Sequence, residues 1–129
     1  MSRQLISTGT IWEREVGYSR AVRVGSRVYV AGTTASDDNS QVVGIGDVYT
    51  QTRYIFEKIE RALHEAGATL NDVVRVRMFV RDIGGWESIG RAHGEFFRDI
   101  RPASTMVEIS RLINPDHLIE IEVDAEIDG

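Results

Sequence analysis

The chain has 129 residues, a formal net charge of −5 and no cysteine. Disulfides, thiolate metal sites and cysteine nucleophiles are therefore excluded. The acidic balance argues against the basic surface that tight nucleic-acid binding requires.

The length fits a single domain over residues 1–129. A hydrophobic fraction of 42% and a charged fraction of 27% are ordinary for a globular chain. No apolar run approaches the roughly 18 residues of a membrane span. The early Trp12, Glu13 and Glu15 do not suit a signal peptide. A cytoplasmic protein without a membrane partner is expected.

In chain order, Ala21–Val24, a Gly25-Ser26 turn and Val28–Ala31 predict a β-hairpin. Ser36–Ser40 reads as a loop. Asp47 is a candidate N-cap for a helix over Val48–Ala66, where Ile55, Ile59, Ala62, Leu63 and Ala66 recur at helical spacing. Gly67 stops it, and Thr69 to Asp72 has the spacing of a capping box. Val74, Val76, Met78 and Val80 alternate with Arg75, Arg77, Phe79 and Arg81, which predicts a strand with an arginine-rich face.

A second helix is expected over Trp86–Phe97, with Trp86, Ile89, His93 and Phe96 on one side. Gly90 and Gly94 inside it each cost roughly 1 kcal/mol relative to alanine. Arg101-Pro102 ends the helical region, and Ser104–Ile109 is expected to be extended. After Asn114-Pro115, Ile119 to Ile127 alternates apolar residues with Glu120, Glu122, Asp124 and Glu126. The order is β-β-α-β-α-β-β, with or without a further N-terminal strand. This predicts a two-layer α/β (α+β) domain: a mixed sheet of five or six strands with two helices on one face. The opposite face must meet water or another subunit. There the arginines and the carboxylates can pair across strands.

The residues Gly17-Tyr18-Ser19-Arg20-Ala21-Val22, then Val28-Tyr29-Val30-Ala31-Gly32, resemble the signature of the Rid superfamily (reactive intermediate deaminase, YjgF, or endoribonuclease L-PSP). The resemblance continues through Gln51-Thr52, Ala66–Val74, Phe79–Asp82, Phe96-Phe97, Arg101–Ala103, Val107–Ile109 and Ile119–Glu122. It implies a chorismate-mutase-like fold. It also implies a homotrimer whose sheets line a central barrel, with small-molecule clefts between subunits; no cofactor or metal is expected. Deaminase members carry Pro-x-Arg where this chain has Pro102-Ala103-Ser104, and their arginine grips an imino-acid carboxylate. By the same resemblance Ala31 replaces a serine, Gly90 an asparagine, His93 a tyrosine and Met106 a cysteine. Tyr18, Gly32 and Glu120 are retained, and the family glutamate helps place the hydrolytic water.

Each candidate has a plainer alternative. Glu120 is a water-orienting carboxylate or one more acid on an alternating strand. Tyr18 walls a cleft or packs as a strand aromatic. His93 is a general base or a half-buried structural histidine. Ser104 binds ligand, but without an elbow motif it makes a poor nucleophile. Arg20 replaces the absent cation or is a solvated strand charge. Trp12 and Glu13 close a cleft or anchor the N-terminus. Gly44-Ile45-Gly46 lacks the remainder of a phosphate loop. His64, His93 and His117 lack metal-ligand spacing. Two functions follow: C–N hydrolysis of an enamine- or imine-type metabolite other than an ordinary 2-imino acid, or non-catalytic, chaperone-like binding of small metabolites. Ribonuclease activity does not suit the acidic charge.

Overall fold

The computed structural model describes residues 2–128. The strands are β1 (Arg3–Ile6), β2 (Ala21–Val24), β3 (Arg27–Thr33), β4 (Val73–Val80), β5 (Ala103–Glu108) and β6 (Ile119–Glu126). The helices are α1 (Val48–Glu65) and α2 (Trp86–Phe97). They form a mixed six-stranded sheet in the order β1-β2-β3-β6-β4-β5, in which only β4 and β5 pair in parallel. A parallel pair needs a crossover, and α2 supplies it.

One face of the sheet is apolar because the strands alternate. Val30 pairs with Val123, Val76 with Val123, and Met78 with Ile121, all buried. Ile55, Phe56, Ile59 and Leu63 of α1 and Ile89 and Phe97 of α2 complete that core. Burying each such side chain contributes about 1.5–3 kcal/mol. α1 starts where expected: the Asp47 carboxylate accepts from Thr50 N at 3.1 Å and from Thr50 Oγ1 at 2.7 Å. The capping box at Thr69 and Asp72 closes a single 3-10 turn, Leu70–Asp72.

The structure changes several expectations. The N-terminal strand is real: β1 pairs with β2. β5 begins at Ala103 and ends at Glu108, one residue earlier than expected at each end. Trp86 does not join the core side of α2 but is 56% exposed. The helix instead buries Ile89, Ala92 and Phe97, while His93 and Phe96 are half-buried. Of the arginines on β4, Arg77 pairs across the sheet, with Glu122 at 3.3 Å and Asp124 at 3.4 Å. Arg75 and Arg81 make no ion pair among the described residues. The expected charge ladder is thus a single arginine between two carboxylates.

Candidate functional site

The face of the sheet away from the helices carries the first group of candidates. Val30 pairs with Val123 and Thr33 with Ile121. Ala31 and Gly32 therefore both stand opposite Glu122 alone, a β-bulge. The bulge breaks the regular pleat at the end of β3. A β-carbon at Gly32 would collide with the Glu120 carboxylate, standing 3.0 Å from its Cδ. Glycine there leaves room for the Glu120 side chain.

Glu120 is half-buried. Burial pushes its carboxyl above the ordinary glutamate range; the positive Arg20 opposes this and the negative Glu122 adds to it. Among the described residues no hydrogen bond contributes to holding its charged form. The Arg20 Nη2 donates to the Gly32 carbonyl, and its guanidinium carbon lies 5.8 Å from the centre of the Tyr18 ring. Tyr18 and Ala31 line an open groove of about 710 Å³ with Val22, Tyr29, Glu122 and Asp124.

Trp12 and Glu13 separate in role. The Glu13 carboxylate accepts hydrogen bonds from Ser7 Oγ at 2.7 Å, Thr8 Oγ1 at 2.5 Å and Thr10 Oγ1 at 3.1 Å. Burial alone would raise its pKa, but these bonds outweigh it and lower the value. Glu13 anchors the π-helical turn Glu13–Gly17 that delivers Tyr18 to the groove. Trp12 is 64% exposed.

The second group lies on the other face of the sheet. Ser104 pairs with Val76 and Met106 with Met78, both on the helix side. Ser104 Oγ is 2.9 Å from His93 Nε2 and 3.2 Å from the Pro102 carbonyl. The Ser104 hydroxyl thus has two hydrogen-bond partners, the Pro102 carbonyl and the His93 ring. The His93 ring packs against Phe56 and Phe97, at centroid distances of 5.8 and 5.0 Å. Burial lowers its pKa. Gly90 is exposed one turn before His93. Within one chain, then, Tyr18 and Ala31 line the groove, Glu120 packs over Gly32, the residue after Ala31, and His93 and Ser104 form a separate pair on the helix side, with Met106 two residues further along β5.

Lys58 was not among the candidates. Its Nζ donates to the Thr34 and Ser36 carbonyls, both at 2.8 Å, just beyond the Gly32 bulge. Burial, and next the nearby Arg20, push its pKa down to about 8. The signal was available: Lys58 stands on the apolar stripe of α1, three residues after Ile55 and four before Ala62. Beside it, buried His117 shares a 2.8 Å hydrogen bond with Ser36 Oγ. Gln51 ties this loop to β6, donating to the Gly44 and Asp116 carbonyls and accepting from Leu118 N. Among the described residues no group of three or more His, Asp or Glu side chains is placed to hold a metal ion. No helix there is long and apolar enough to cross a membrane.

A mixed sheet backed by two helices, with a glutamate folded over a strand bulge, defines a two-layer α+β protein. The sequence profile of the endoribonuclease L-PSP family matches residues 11–127, and the chain belongs to this family, the Rid or YjgF superfamily. It is 38% identical over 104 residues to the 3-aminoacrylate deaminase RutC of Acinetobacter baylyi, covering 81% of this chain and 82% of that one. It is 36% identical over 122 residues to a RutC family protein of Pyrococcus abyssi, covering 95% of each. A crystal structure of a YjgF family member from Mycobacterium tuberculosis superposes with a TM-score of 0.89 at 49% identity, covering 98% of this chain and all of that one.

Proposed function

We propose that the protein is a homotrimeric, cytoplasmic hydrolase that cleaves the C–N bond of a small enamine or imine in clefts between subunits. The observation that carries this reading is the Glu120 carboxylate: half-buried, folded over Gly32 and, among the described residues, given no hydrogen bond that would fix its charge. Such a group accepts a proton from water and directs the oxygen. Water adds across the C=N bond, oxygen to carbon and proton to nitrogen. Collapse of the adduct breaks the C–N bond, releasing ammonia and leaving a carbonyl. An enamine first takes a proton at carbon to become the imine.

Tyr18, Ala31 and Gly32 form one wall of the cleft. In the trimer, His93, Ser104, Met106 and Gly90 form the facing wall from a neighbouring subunit. Ser104 and His93 offer neutral hydrogen-bonding groups where deaminase members present an arginine. An imino acid held at position 104 by its carboxylate is therefore not the substrate.

The test is ammonia release from freshly generated enamines and imines, with sedimentation at micromolar concentration beside it. Turnover by a trimer supports the reading. A monomer removes the shared cleft. Saturable binding without ammonia release would favour a non-catalytic, metabolite-binding role, to which the apolar Ala31 and Met106 also lend themselves.

A further inference from the structure

The chain between Ile6 and Arg20 is a loop closed at its base, where Arg20 N donates to the Ile6 carbonyl at 2.8 Å. It is built inside out. From Ser7 to Tyr18 the one buried residue is a carboxylate, Glu13, while Ile11, Trp12 and Val16 are 58%, 64% and 71% exposed. Large apolar side chains gathered in water on one short turn are favourably covered by something else.

Two glycines bracket that turn. Gly9 and Gly17 have φ of +77° and +91°, and a β-carbon at either would meet nothing within 4 Å. Glycine moves between positive and negative φ at little steric cost, so the backbone bends most freely at these two points. Glu13 spans both. Its carboxylate reaches back past Gly9 to accept from Ser7 Oγ and Thr8 Oγ1, and its carbonyl accepts from Tyr18 N beyond Gly17. Among the described residues no side chain of Thr10–Val16 bonds to the sheet. The turn nevertheless borders the open groove: Glu13, Arg14 and Gly17 line it with Leu5, Val22 and Tyr29, and Trp12 does not.

We propose that Thr10–Val16 is a lid, hinged at Gly9 and Gly17, latched by Glu13 on Ser7 and Thr8, and closing Trp12 over a ligand in the groove. This rests on the reading of the groove as part of the cleft. Closure puts ligand and apolar groove walls against the indole and shuts out bulk water.

Trp12 and Trp86 are the two tryptophans, so Trp86→Phe in the full-length protein leaves Trp12 as the reporter. Acetone oxime, a C=N compound that hydrolyses slowly, is the probe. Adding it should shift Trp12 emission to the blue and reduce acrylamide quenching at least about twofold, from a side chain that starts 64% exposed. Tyr18 signals followed by NMR in the same sample report whether the oxime enters the groove. Tyr18 responding while Trp12 does not would overturn the lid and keep the cleft. Silence from both would remove the cleft, and the lid with it. Trp12 closing on the oxime in a protein that releases no ammonia from enamines or imines would keep the lid and sink the hydrolase. A Trp12 already shielded from acrylamide without the oxime would also overturn the lid, because a second copy of the chain would then cover the turn. The latch is read without any ligand. Glu13→Gln, and separately Ser7→Ala with Thr8→Val, should speed trypsin cleavage after exposed Arg14 at least about tenfold. Cleavage at the unaltered rate in both would overturn the latch; the Trp12 measurement needs neither variant to fold.

Discussion

Glu120 Cδ lies 3.0 Å from where a β-carbon on Gly32 would stand, so the carboxylate occupies space that only glycine leaves free. The atom that would be struck is the end of a side chain, which can move aside. Gly32→Ala should therefore fold, but with Glu120 displaced. A misplacement of that size costs on the order of 100-fold in rate. The expected outcome is a loss of that order in kcat/KM for C–N hydrolysis with little change in Tm.

Glu120 also sets a pH dependence. Its pKa in the folded chain is raised above the ordinary value of 4.5, chiefly by burial. A group raised in this way contributes stability below its unfolded pKa and loses it as pH rises through the folded value. Glu120→Gln has no such titration. Its Tm should gain on the unaltered protein as pH rises from 4.5 through the raised Glu120 pKa. Turnover needs the ionised carboxylate, so the acid limb of the pH–rate profile should lie above 4.5. Paired melting curves and rate profiles measure both.

His93 should behave in the opposite sense. Burial lowers its pKa from 6.5. Its contribution to stability is present above the unfolded value and is lost as pH falls through the lowered one. An imidazole titration followed by NMR should place His93 below 6.5, still neutral at pH 7. A value above 6.5 would mean that an acid reaches the ring in solution.

Gly90 occupies open space in the interior of α2, with nothing within 4 Å of a β-carbon built there. Gly90→Ala should stabilise the folded chain by about 1 kcal/mol, read as a higher denaturant midpoint. If the trimer or its ligand needs the bare backbone at this position, the same variant will weaken assembly or binding while the subunit gains stability.

Local chemistry made much of the fold legible. The Asp47 cap, the apolar spacing of α1 and the strict alternation from Ile119 to Glu126 each depend on neighbours in sequence. β1 was harder because Arg3–Ile6 is short and mostly exposed, and its pairing with β2 is what makes it a strand. The bulge at Ala31 and Gly32 is invisible locally, since it exists only in the register of β3 against β6. Glu120 and Gly32 were legible as candidates through family resemblance. Their contact, and the approach of Arg20 and Lys58 to the same end of the strand, come from packing between distant segments. Trp86 shows the reverse limit: helical spacing placed it with the core, but it is the first residue of α2 and stays largely exposed.

The most direct test of Glu120 hydrolysis is single-turnover ammonia release from a freshly generated enamine or imine, comparing the unaltered protein with Glu120→Gln. The account predicts that the unaltered protein accelerates hydrolysis well above the buffer rate. The Gln variant, folded and assembled alike, should fall by at least about 100-fold. Equal rates from the two proteins would contradict it.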